Sequence, residues 1–319
     1  MLRGNRYGSG AITAPRCMIL ASSVWRGRMR FEPPMQYEIL ADGLAFPEGP
    51  VVMSDGSVIV VESFGGRVTR CWAGRKETIC MVGDGPNGGA IGPDGALYVC
   101  NNGGVGPDYF ARADRVGRIE RIDLGTGRFE RLYEACDGRP LSAPNDLVFD
   151  CDGNLWFTDF GRLETNGKQF GGLYCARPDG SAITRIRGRA TSYNGVGISP
   201  DMSTVYVADT IEARVYAFDR SLSEQIPRLV ATVPGQVSLD SLAITAAGNV
   251  CVATIGEYGA IATVTPDGKV DVTPTDDRVT TNIAFGGPDC RDAWITYSMR
   301  GLLVKTRWRE AGLRLVYNA

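Results

Sequence analysis

The sequence predicts an all-β fold, a six-bladed β-propeller, and three observations lead there. From residue 36 onward, short apolar strands alternate with Gly, Asp-Gly and Pro-Asp turns, and no long helical periodicity interrupts them. The strands recur as six self-similar copies. Each copy occupies roughly 47 residues, the size of a four-stranded blade.

In chain order the copies are "PEGPVVMSDGSVIVVES", "PNGGAIGPDGALYVCNN", "PNDLVFDCDGNLWFTDF", "YNGVGISPDMSTVYVAD", "LDSLAITAAGNVCVATI" and "TNIAFGGPDCRDAWITY". Each supplies a polar residue, an apolar strand, a tight turn and a second apolar strand. Most continue into a third strand such as "GRVTRCW", "GRIERID", "GGLYCARPDG", "ARVYAFD" or "GAIATVTPDG". The segment "YEILADGL" is left over before the first copy. It is expected to close the last blade by pairing with either "GLLVKTRW" or "LRLVYNA".

Residues 1–34 are Arg-rich, irregular and end in Pro-Pro, which marks them as a disordered extension or a translation start placed upstream of Met35. The propeller domain is therefore 35–319. A cleaved export signal is the alternative reading of the extension, set against a cytoplasmic protein. Nine cysteines without a Cys-x-x-Cys pair fit neither a disulfide framework nor a zinc knuckle, and agree with thiols kept in a reducing compartment.

Composition narrows the chemistry. The 34 basic and 36 acidic residues nearly balance, so there is no basic field to favour nucleic acid or an anionic membrane. No apolar run is long enough for a membrane span. The chain contains no His, which excludes a Ser-His-Asp triad, a Cys-His dyad, a His-ligated zinc and any His general base. Carboxylates, amides, hydroxyls, Lys, Cys or an oxygen-ligated metal must do any chemistry.

The repeat also aligns one polar position. Glu48, Asn87, Asn145, Asn194, Asp240 and Asn282 stand at the same place in all six copies, just before the innermost strand. Any one of them could be a turn or cap residue. A propeller, however, gathers equivalent positions around one mouth of its central channel, so the set becomes a ring of oxygen atoms. Two carboxylates and several amide oxygens suit one hard divalent cation, Ca²⁺ first, with Mg²⁺, Mn²⁺ or Zn²⁺ as alternatives. The carboxylates would balance its charge and the amides would leave it electrophilic.

These residues, in "FPEGPV", "PNDLVFDCDGNLWFTDFG", "YNGVGISPD", "LDSLAI" and "TNIAFGG", resemble the SMP-30/gluconolactonase/LRE-like family over roughly residues 38–305. The resemblance implies a six-bladed propeller that binds a divalent metal and hydrolyses lactones or other small esters. It implies metal ligation by Glu48, Asn194 and Asp240, with Asn145 as a fourth ligand, and Asp240 as general base or nucleophile. Asn87, Asn102 and Asn282 are then candidate substrate contacts. One departure is informative. The animal sugar-lactone hydrolases carry an Arg two residues before the "PND" Asn, where this chain has Ala143, so their clamp on substrate hydroxyls is missing.

A small-molecule lactone or ester is the expected partner. Two rival functions share the ring: phosphotriester hydrolysis, and non-catalytic ligand binding around a structural ion. Residues 103–117 are longer than a propeller turn needs and form a candidate lid. Trp156, Phe157 and Trp294 read as packing between blades, and Asp159 as a cap or as an approach to a second ion.

Overall fold

The computed structural model describes residues 35–72, 74–104, 116–164, 167–222 and 225–318. The N-terminal extension and most of the candidate lid lie outside the described residues. Six four-stranded antiparallel sheets account for the six copies, and there is no helix among the described residues.

The innermost strands are Pro47–Val52, Pro86–Ile91, Pro144–Phe149, Tyr193–Ile198, Val237–Ile244 and Thr280–Gly286, heading blades one to six. Each packs against the next, and the sixth packs against the first, so the ring closes. Closure is completed by Glu38–Ala41, which pairs with Leu302–Arg307 as the outermost strand of blade six. The sequence left two partners open for this strand, and "GLLVKTRW" is the one it takes.

The turn joining the first two strands of each blade uses the left-handed region: Gly56, Gly95, Gly153, Met202 and Gly248 in blades one to five, and both Gly287 and Cys290 in blade six. Glycine adopts that conformation without a Cβ clash, which explains the recurring Asp-Gly. Second strands are buried throughout in blades one, two and three, so apolar side chains pack between sheets on both faces. Trp156 and Trp294 lie in these buried layers, as expected.

A second polar repeat organises the mouth. The last residue of the second strand is Glu62, Asn101, Asp159 or Asp209 in blades one to four. Each turns inward to hold the loop that feeds its own innermost strand. Glu62 accepts from Ala45 N (2.7 Å), Asn101 from Gly85 N (3.2 Å), and Asp209 from the Ser192 hydroxyl (2.6 Å). Asp159 accepts from Ser142 N, Ala143 N and Gly161 N at 2.7–2.9 Å, the capping role.

Glu62 also takes both guanidinium contacts of Arg67 and the Thr69 hydroxyl. Glu62→Ala is expected to destabilise the protein by about 3 kcal/mol, because it leaves a partly buried N–H, a buried hydroxyl and a partly exposed guanidinium without their shared acceptor. Urea unfolding of the pair of proteins measures this directly; a change below about 1 kcal/mol would deny the network its structural role.

Candidate metal and catalytic site

The ladder between the first two strands slips in every blade at the ring position: between Glu48 and Val51, Pro86 and Gly89, Pro144 and Leu147, Tyr193 and Val196, Leu239 and Leu242, and Thr280 and Asn282. A bulge re-aims side chains that strict alternation would send to opposite faces. In blade three this leaves Asn145 and the next residue, Asp146, both buried at the mouth. In blades one, two and four the residue after the ring position is glycine, where the neighbouring strand comes too close for a Cβ. A Cβ on Gly88 would lie 2.5 Å from an Asp146 carboxylate oxygen and 2.7 Å from the Asn145 carbonyl.

Glu48, Asn145, Asn194, Asp240 and Asn282 are all buried at this mouth, and Asn87 is half-buried with its carboxamide oxygen shielded from solvent. The oxygens of Asn87 and Asn145 have no hydrogen-bond partner. The Asn194 amide nitrogen donates to Thr210 at 3.2 Å, and its oxygen has only a long 3.5 Å contact from Ser241. The Asn282 oxygen accepts from the backbone N–H of Ile283 at 2.8 Å. Asn102 differs from the ring. Its oxygen accepts from Gly104 N and its carbonyl from Arg162, so it supports the rim loop of blade two.

The repeat alignment does not pick out Asp146, and the structure adds it to the group. Burial pushes its carboxyl up to about 7. Burial does the same to Asp240, to about 7, with the charge of Asp146 adding to the effect. Glu48 is raised well above the carboxylate range by burial first, then by Asp240 and Asp146. No cation figures among the influences on any of the three. The clue in the sequence was the carboxylate adjoining Asn145 in "PND"; the bulge is what brings both side chains inward.

Buried carboxylates that raise one another's pKa, beside buried amide oxygens without donors, are a cation-shaped deficit. Among the described residues no three His, Cys, Asp or Glu side chains form a metal cluster by themselves, so an ion here would depend on the amide oxygens as well. That donor set, all hard oxygen, fits Ca²⁺ best.

Below the ring the channel narrows to a cavity of about 80 Å³ lined by Asp146 and Asn282 and, beneath them, by Leu313, Leu315, Val316 and Asn318. The segment carrying these last residues starts under blades five and six, where Gly312 N donates to Cys290 O and Leu313 N to Ile244 O. It reaches blade three, where the Tyr317 ring meets Phe149 edge-on at 5.9 Å. The tail floors the channel and leaves the ring facing the opposite mouth.

Fold and site together define a six-bladed propeller with a ring of oxygen donors at one mouth, and comparison with known proteins places it more narrowly. Residues 46–299 match the family model described as the SMP-30/gluconolactonase/LRE-like region, and the chain belongs to that family. It is 30% identical to the lactonase drp35 of Staphylococcus saprophyticus over 237 residues, 69% of this chain and 66% of the relative. It is 25% identical to a gluconolactonase of Zymomonas mobilis over 209 residues, 57% of this chain and 55% of the relative. The matches thus span between about half and two-thirds of these relatives' lengths. Among solved structures, a gluconolactonase from Xanthomonas campestris superposes with a TM-score of 0.70 at 23% identity, covering 86% of this chain and 90% of that one. A calcium-binding protein, regucalcin, from Agrobacterium tumefaciens gives 0.69 at 19% identity, covering 88% and 98%. At those identities the structures bear on the fold.

Proposed function

We propose that this protein is a hydrolase that opens the ring of a small lactone, with a divalent cation, Ca²⁺ first, held by Glu48, Asn145, Asn194 and Asp240. The observation that carries the reading is the pair of partnerless buried oxygens, on Asn87 and Asn145, set among three buried carboxylates that lack a counter-charge. When bound, such an ion supplies Lewis acidity toward an ester carbonyl.

The chain's own groups do the rest. An Asp240 carboxylate oxygen takes the proton of the attacking water and returns it to the departing ring oxygen. Asn194, the neighbour that partly offsets the effect of burial on the Asp240 carboxyl, is placed to orient it. Asn87 and Asn282, on the remaining arc of the ring, are placed to meet the substrate. Asp146 sets the electrostatics beneath. The names of the drp35 and gluconolactonase relatives support a lactone as substrate. A reducing, cytoplasmic setting belongs to the same reading, supported by the eight described cysteines all being free.

The test is proton release from a panel of lactones by metal-stripped protein, with and without Ca²⁺, Mn²⁺, Mg²⁺ or Zn²⁺, alongside a phosphotriester. Lactone turnover restored by a cation is the expected result. Turnover of the phosphotriester alone, or none from folded protein with any ion, would refute it.

A further inference from the structure

Phe46 lies two residues before Glu48, so their Cα atoms are within about 7 Å. Its φ of 60° is in the left-handed region, which a bulky side chain rarely occupies. Its neighbours hold it there: Ala45 N is bound by Glu62, Phe64 N donates to Ala45 O, Ser63 N donates to Phe46 O, and Leu44 N donates to Gly301 O. In this conformation the Phe46 ring stacks on Phe64, with centroids 4.4 Å apart and planes at 27°. Phe64 is 53% exposed, so the stack fills no core. The next rim loop, from blade six, presents Met299, 66% exposed, two residues from the Gly301 that binds Leu44.

Backbone strain held in place beside a ligand ring, and used to display an aromatic face to solvent, is what a binding surface needs and a packing surface does not. A glycine at position 46 would relieve the strain. From this geometry we infer that Phe46 and Phe64 form an apolar platform that holds an alkyl or aryl substituent of the substrate against the mouth, making the enzyme selective for apolar-substituted lactones. The inference rests on the lactonase reading for the reaction, and on the stack alone for the specificity. The buried Ala143, close before Asn145, brings no charged group to the mouth that would favour a polyhydroxylated ring instead.

Three substrates and two variants test it: δ-decalactone, δ-valerolactone and glucono-δ-lactone with wild type, Phe64→Ala and Phe46→Gly. The wild type is expected to prefer δ-decalactone. Each variant should lose about tenfold in kcat/KM on δ-decalactone and less than about twofold on δ-valerolactone, the size of one aromatic contact. The melting temperature of Phe64→Ala should be unchanged, which separates a lost contact from a lost fold. An unchanged ratio of kcat/KM between δ-decalactone and δ-valerolactone would overturn the platform.

Should the wild type hydrolyse none of the three, the lactonase reading falls separately, and NMR titration with δ-decalactone decides the platform. Binding weakened about tenfold by Phe64→Ala supports it. Equal affinity, or no binding to the wild type, overturns it.

Discussion

Asp240→Asn is expected to reduce turnover by at least about a thousandfold, through loss of the proposed general base and of a carboxylate that would hold the cation. The same substitution is expected to stabilise the metal-free protein near pH 8 by about 2 kcal/mol. The two effects have one origin. Burial and the charge of Asp146 hold the Asp240 carboxyl up to about 7, far above its value in an unfolded chain. The folded protein therefore binds this proton more tightly than the unfolded one, and ionising the group near neutrality works against folding. Asn keeps the shape and cannot ionise, so the penalty disappears along with the catalysis. Steady-state rates with saturating cation, and urea unfolding in chelator at pH 8, report the two halves. Retained activity would remove Asp240 from the mechanism; a large loss of stability would show that the residue is needed structurally.

Much of this site could be read before any coordinates because it is written in the repeat. Glu48, Asn145, Asn194 and Asp240 are unremarkable one at a time, each an ordinary turn or cap residue. Aligned copies in a closed propeller must meet at one mouth, and that topological step turned scattered residues into a ring. The same alignment carries the row Glu62, Asn101, Asp159 and Asp209, one residue at the end of each second strand in blades one to four, which holds the feeding loops.

Asp146 and Phe46 were harder to see, for a different reason. Alternation along a strand assigns neighbours to opposite faces, and Asp146 follows Asn145 directly. The bulge between Pro144 and Leu147 overrides that rule, and nothing local in "PNDLVF" announces it. Phe46 depends on a left-handed backbone imposed by hydrogen bonds from distant residues, a tertiary effect without a sequence signature. Asn102 is a candidate substrate contact because it closes the second strand of blade two beside the same mouth, and its side-chain oxygen accepts from Gly104 N within its own loop.

The three crowded carboxylates also set how metal and pH act together on stability. For an acid whose folded pKa is raised, the stabilising contribution is present at low pH and is lost as pH climbs from the unfolded value near 4 through the folded value. With Asp146 and Asp240 both raised to about 7 and Glu48 raised as well, the metal-free protein should melt progressively lower between about pH 5 and pH 8. A divalent cation reverses the sign, because it binds the ionised carboxylates and competes with their protons. At about one hundred times its dissociation constant it should contribute about 2.7 kcal/mol, a rise in melting temperature of roughly 5–10 °C. That rise should be largest at pH 8 and shrink toward pH 5, where protons occupy the site. Melting curves across this range, in chelator and in excess Ca²⁺, trace both lines. If the lines diverge with rising pH, the carboxylates that repel one another in the empty ring are the ones that hold the ion. Superimposed lines at every pH would mean that the ring binds no cation, and the partnerless oxygens of Asn87 and Asn145 would then have to be answered by substrate or water.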